Sequence, residues 1–182
     1  FAIGNRSTIN SSSATQVSWN WKAGTSFTND ASATGIGSID SAGSVNTDAG
    51  FSIVSYTGTG STLTVGHGLG TAPAMILIKG RSFVDEWLVY HQSMGNTHAI
   101  NLNLTNASSS SVNYWRNTTP SSSVVYIGAN DKHNKSSETY IAYCFAEKQG
   151  YSKFGSYVGN GNDGDGPFIF TGFKPAFCMV KR

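Results

Sequence analysis

Gly50-Phe51-Ser52-Ile53-Val54-Ser55-Tyr56-Thr57-Gly58-Thr59-Gly60 reads as one β-strand between two glycine turns. Its β-branched and aromatic residues suit a pleated, half-buried surface, and its flanking glycines suit turns. The stretch recurs as Gly150-Tyr151-Ser152-Lys153-Phe154-Gly155-Ser156-Tyr157-Val158-Gly159-Asn160-Gly161. Further along, Pro73-Ala74-Met75-Ile76-Leu77-Ile78-Lys79 recurs as Pro175-Ala176-Phe177-Cys178-Met179-Val180-Lys181. The offset is 100 residues at the first glycine and 102 at the proline, so the two blocks keep their order with a small insertion between them. A repeat of this kind identifies the building unit of a fold, here a β module of roughly a hundred residues. The second copy stops at Arg182, where the first is getting under way. The chain therefore reads as cut from a longer array that continues past Arg182. The opening on Phe1 agrees, as a processed product, an excised domain or part of something larger.

Outward from these blocks, short runs of Val, Ile, Tyr, Phe and Trp alternate with Gly/Ser/Asn/Thr clusters, and almost nothing reads as helix. That is the pattern of a sandwich or barrel. Strands are expected at residues 16–22, 51–57, 61–65, 74–79, 87–90, 99–104, 112–114, 124–127, 140–147, 153–157, 168–170 and 177–181. Alternation in Ala99-Ile100-Asn101-Leu102-Asn103-Leu104 places Ile100, Leu102 and Leu104 inward. Met75-Ile76-Leu77-Ile78 is apolar on both faces and reads as a central strand. Gly66-His67-Gly68-Leu69-Gly70 calls for left-handed backbone that glycine adopts cheaply.

The expected fold is all-β, a β-sandwich or jelly-roll-like domain with long Gly/Ser-rich loops. Residues 1–49 form an N-terminal arm and loop segment with one strand, and residues 50–149 the β module. Residues 150–182 form strands that echo its start, either opening a second copy or completing the same sandwich. The stretches 5–14 and 28–49, poor in large apolar groups, read as surface arms.

The chain has 182 residues, 38% of them hydrophobic and 12% aromatic, enough for one sizeable core. Charged residues make up only 12%, about half the usual share of roughly 25%. Ser, Thr, Asn and Gly must keep such a surface in water, as in secreted and virion proteins. The net charge of +2 comes from scattered Lys and Arg, which argues against nucleic acid as a partner. No apolar run is long enough to span a membrane as a helix, and no signal peptide is visible. Cys144 and Cys178 sit in apolar runs and read as small buried hydrophobes, with a disulfide left open.

Trp19-Asn20-Trp21-Lys22-Ala23-Gly24, the block from Ala49 to Gly60, Val65-Gly66-His67-Gly68-Leu69-Gly70-Thr71-Ala72-Pro73, Tyr140-Ile141-Ala142-Tyr143-Cys144-Phe145-Ala146-Glu147, and Gly150 to Tyr157 leading into Gly166-Pro167-Phe168 carry a resemblance together. The chain resembles, over nearly its whole length, an uncharacterised β-rich domain recurring in tail-fibre and other structural proteins of tailed phages of marine bacteria and cyanobacteria. The resemblance implies a non-enzymatic virion module located on the particle surface, self-associating as fibres do, commonly as trimers, beside other virion proteins. It carries over no catalytic residues. The Asn162-Asp163-Gly164-Asp165 stretch is more acidic than the corresponding loop of similar sequences.

Trp87, Tyr90, His91, Tyr114, Trp115, Arg116 and Asn117 are the candidate carbohydrate- or partner-binding residues. Aromatic faces stack on sugar rings, and amide and guanidinium groups bond to hydroxyls. The competing reading makes Trp19, Trp21, Trp87 and Tyr90 core, with Trp115 and Arg116 at a subunit contact. Asn160, Asn162, Asp163 and Asp165 alternate with glycine as calcium ligands can, against the plainer reading of a polar hairpin turn. No other cofactor is suggested. His67 reads as a turn residue. The His91/His98 loop, with Asp85 and Glu86 upstream, lacks a nucleophile or zinc signature. Glu147 paired with Asp85 or Glu86 could serve a depolymerase only if folding set two carboxylates face to face. The favoured function is a structural module of a tail fibre or surface appendage that contacts host glycans. The alternatives are a capsid decoration or filament-forming protein with no receptor role and, less favoured, a polysaccharide depolymerase.

Overall fold

The computed structural model describes residues 11–18 and 20–182. The strand expected over 16–22 includes Trp19, and the arm over 5–14 and the segment 1–49 begin earlier, so these expectations fall partly outside the described residues.

The elements in chain order are β1 (Thr25–Asn29), α1 (Ala31–Thr34), β2 (Ser41–Asn46), β3 (Phe51–Thr57), β4 (Leu63–Gly66), β5 (Met75–Gly80), β6 (Leu88–His91), β7 (His98–Asn101), β8 (Ser109–Ser110), α2 (Val112–Trp115), β9 (Val124–Ile127), α3 (Asp131–Asn134) and β10 (Thr139–Phe145). Eight strands make one antiparallel sheet in the order β1-β2-β3-β10-β5-β6-β7-β8, and β4 pairs with β9 in a second, two-stranded sheet. The all-β fold expected from the sequence is observed, with three single-turn helices as connectors.

The last strand occupies the middle of the large sheet. Tyr140 to Phe145 pair with Tyr56 to Phe51 of β3 on one side and with Gly80 to Met75 of β5 on the other. Both neighbours lie sixty or more residues away in sequence, so loop closure precedes any gain from this pairing. Its inward residues Tyr140, Ala142 and Cys144 are buried with Val54 and Tyr56 of β3 and Ile76 and Ile78 of β5. Leu63 and Val65 of β4, Val125 and Ile127 of β9, and Trp115 of α2 close the same core from the other layer. Fully burying a side chain such as Ile76 contributes about 1.5–3 kcal/mol. Burial pushes the Cys144 thiol up to about 12, which leaves it inert.

A polar brace joins the layers at one end. Fully buried Asn134 accepts from the Thr59 amide at 2.8 Å and donates to the carbonyls of Ser61 at 2.6 Å and Gly128 at 2.9 Å. The Tyr56 and Tyr140 hydroxyls donate to the carbonyls of His133 and Asp131, each at 2.7 Å. These bonds tie the β3–β4 turn to α3 and satisfy groups that would be costly to bury unpaired.

Several local expectations are corrected. The supposed arm over 28–49 contains β2 and the end of β1, because main-chain bonding needs no large side chains. Gly43 of β2 lies so close to β3 that an added Cβ would stand 2.0 Å from the Ile53 carbonyl oxygen, so glycine is required there. Residues 20–22, within the expected first strand, are not strand. Residues 112–114 form α2 instead of a strand, because the Ser111 side chain accepts from the Asn113 amide and caps a helical turn. β7 ends at Asn101, and buried Ala99 takes the inward position while Ile100 faces outward. The alternation was out of phase by one residue, which exchanges the faces.

The largest correction lies at the C-terminus. No strand is present from residue 153 to 182, although this segment echoes β3 and β5. In the first copy those blocks lie between neighbouring strands. The second copy has no such neighbours among the described residues, and Tyr157, Val158, Phe168, Phe170, Met179 and Val180 stand exposed. Cys178, expected to be buried, is likewise exposed, and neither cysteine is bonded.

Candidate functional site

The candidate site lies where β7, β8 and α2 meet. Trp115 is pulled fully into the core at the end of α2, and the chain must turn sharply to leave it. Arg116 (φ 57°) and Asn117 (φ 49°) do so in consecutive left-handed conformations. Each costs a non-glycine residue of order 1–3 kcal/mol, an expenditure that clusters at functional sites. The turn leaves Arg116 and Asn117 exposed. The Arg116 guanidinium lies 5.8 Å from the centre of the Tyr126 ring, within cation–π range. Asn117 then lines an open cleft of about 260 Å³ with Thr97, Ser110, Ser111 and Val112. Next to it, the Thr97 hydroxyl is 2.8 Å from His98 Nδ1, and the Tyr114 hydroxyl is 2.8 Å from Ser109 Oγ.

None of the five lining residues is charged. Hydroxyls and an amide both donate and accept, so the cleft suits a neutral, polyhydroxylated ligand rather than an anion. Its depth and polarity fit weak, reversible contact rather than enclosure.

Of the seven candidates, Tyr114, Arg116 and Asn117 gather at this corner. Trp87 and His91 lie on the outer face of the large sheet, where the Trp87 ring stacks on Tyr143 at 6.1 Å and His91 lies 6.5 Å from Phe154. Trp115 and Tyr90 are corrected to core. Trp115 is 0% exposed, donates from Nε1 to the His98 carbonyl at 2.8 Å, and meets Tyr90 edge-on at 5.6 Å. A ring so enclosed cannot stack on a ligand. Thr97, Ser110 and Ser111 were not singled out in the sequence, since a serine run beside a polar turn looks like linker. The only sequence signal was Ser111 two residues before Asn113, a cap before a short apolar turn.

In the acidic loop, the Asn160 and Asn162 amide oxygens accept backbone amides two residues on, at 3.1 and 3.0 Å. These oxygens serve the turn, and the loop is exposed throughout. Among the described residues no group of three or more His, Cys, Asp or Glu is placed to hold a metal ion. Glu147 is held by Lys153 at 2.5 Å; that hydrogen bond depresses its pKa and keeps the carboxylate ionised.

Two histidines prove structural. His67 is buried, with Nε2 3.2 Å from the Ser121 carbonyl and Nδ1 accepting from the Leu69 amide at 3.2 Å, a neutral ring with both nitrogens satisfied. The glycines around it supply the turn, Gly68 and Gly70 at φ 73° and 71°. His133 is fully buried between the carbonyls of Tyr114 at 2.7 Å and Asn130 at 2.9 Å. Burial lowers the pKa of both rings, outweighing the carbonyls that pull the other way. Above pH about 6.5 both folded and unfolded states are neutral at these sites. Below it the unfolded chain takes up protons that the fold resists, so stability falls with pH until the lowered folded-state values are passed. The slope reaches up to ~1.4 kcal/mol per pH unit for each ring. Thermal melts should show a clearly lower Tm at pH 5.0 than at pH 7.5, and His67→Gln should narrow the difference, leaving the share of His133. Equal melting temperatures at both values would refute this.

Fold and site together define an all-β, two-layer module with a neutral polar cleft at one corner of its large sheet. The chain belongs to the family described as Domain of unknown function (DUF7483), which matches residues 1–182. No curated protein and no solved structure matches it.

Proposed function

We propose that this domain is a non-enzymatic structural module of a tailed-phage particle, in a tail fibre or similar surface appendage, and that the cleft beside α2 contacts host-surface glycans. The observation that carries the glycan contact is the uncharged cleft of Thr97, Ser110, Ser111, Val112 and Asn117, bordered by a strained turn that exposes Arg116. The phage setting rests on the resemblance of the sequence blocks described above. A single such cleft binds weakly, and copies arrayed on one appendage multiply modest affinities.

Probing a host-glycan array with the domain in multivalent display tests the adhesive role. Binding to neutral host sugars is expected. Asn117→Gly, which keeps the left-handed turn and removes the amide, should weaken it roughly two- to tenfold, the worth of one hydrogen bond. Failure to bind any host-derived surface sugar would remove the receptor role and leave a capsid decoration or filament module. Release of reducing sugar from host polysaccharide, abolished by Glu147→Gln, would replace both with a depolymerase.

A further inference from the structure

At one end of the outer face of the eight-stranded sheet, aromatic rings pack over β3 and β10. There the Trp21 ring lies 6.2 Å from Phe51 and 6.0 Å from Phe145, and Phe154 lies 6.1 Å from Phe145. Beyond this cover, Ala42, Ser44, Ile53, Ser55, Arg81 and Ile141 line an open cleft of about 400 Å³. Its floor sets Ile53 of β3, Ile141 of β10 and Ala42 of β2 beside Ser44 and Ser55. At its rim Arg81 makes no ion pair among the described residues.

The same chain presents an exposed aromatic segment elsewhere. Phe168, Ile169 and Phe170 are 88%, 48% and 76% exposed, in a segment without strand partners. Just before them stand Asp163 and Asp165, also without an ion pair among the described residues. From Asp165 to Phe168 an extended chain spans about 10 Å, so a carboxylate can meet Arg81 while the aromatic rings enter the cleft beside it.

We propose that the 163–170 arm of one copy of this chain docks in the outer-face cleft of a second copy, with Phe168 and Phe170 on Ile53 and Ile141 and with Asp163 or Asp165 paired to Arg81. The inference rests on the structural-module reading and gives it an assembly contact. The arm and the cleft are different surfaces, so the contact is head-to-tail and builds a ring or a filament. Two phenylalanines bury about 300–500 Å², well short of the ~1,200 Å² of a stable interface. One contact is therefore weak, in the micromolar range, and closure of a ring or the polymer supplies the rest.

Sedimentation of the full chain over about 1–500 µM tests this. Concentration-dependent association is expected. Asp163→Lys/Asp165→Lys and, separately, Arg81→Glu should each weaken it at least about tenfold, while the combination restores most of it. Phe168→Ser/Phe170→Ser, at exposed positions, should abolish it without changing the Tm. Association indifferent to all these variants would overturn the docking and leave the module reading intact. A strict monomer that still binds glycans would also overturn the docking while sparing the adhesive role. A strict monomer that binds none would count against both.

Discussion

Trp115→Ala is expected to destabilise the domain by about 3–5 kcal/mol, the cost of removing a fully buried tryptophan and leaving a cavity. The ring touches Tyr90 at 5.6 Å and His133 at 5.3 Å, so its loss opens the core between the sheets and beside α3. It also strands the His98 carbonyl, which accepts from Nε1. Trp115→Phe keeps part of the packing but not that bond, and should cost less. Urea unfolding midpoints measure both. The strained Arg116–Asn117 turn depends on this anchor, so Trp115→Ala should also weaken glycan binding through loss of the turn. An unchanged midpoint would show that Trp115 is not core.

Asn134→Ala is expected to cost about 3 kcal/mol or more. The substitution leaves the buried Gly128 carbonyl, and the part-buried Thr59 amide and Ser61 carbonyl, without their partner. Each unsatisfied buried group costs about 1–3 kcal/mol, and a shared network does not sum simply. Asn134→Asp retains an acceptor, loses two donors and buries a charge. It should therefore be more damaging at pH 8 than at pH 5, where the carboxyl can hold its proton. Melting curves of the two variants at these pH values check the assignment. Equal loss at both would mean that the site admits water.

The sheet-forming blocks were legible because their signals are local. Residues 51–57 and 124–127 are strands where β-branched and aromatic runs meet glycine or serine turns. Met75 to Ile78 is central, as its two apolar faces imply. Where side chains are small, the local signal fails. Ser41 to Asn46 carries little hydrophobicity, yet it pairs along β3 through main-chain bonds. The 153–182 segment fails in the opposite sense: its side chains resemble strands, but a strand also needs a neighbour.

The candidate site was half legible. Arg116 and Asn117 reached the surface as expected of polar residues at a turn. Trp115, adjacent to them in sequence, points into the core, because the helix ends there and the left-handed backbone of Arg116 and Asn117 turns the chain outward. Ser110 and Ser111 became lining residues only when β8 paired with β7 and brought them beside Thr97.

By itself, then, the sequence determined the all-β class, the turn glycines and most of the strands, since these depend on residue type and spacing over a few positions. The tertiary structure alone decided that β10 enters the sheet between β3 and β5, which aromatic rings became core, and where the two clefts opened. Those outcomes follow from pairing between residues far apart in the chain, where a one-residue change of register turns a buried side chain outward.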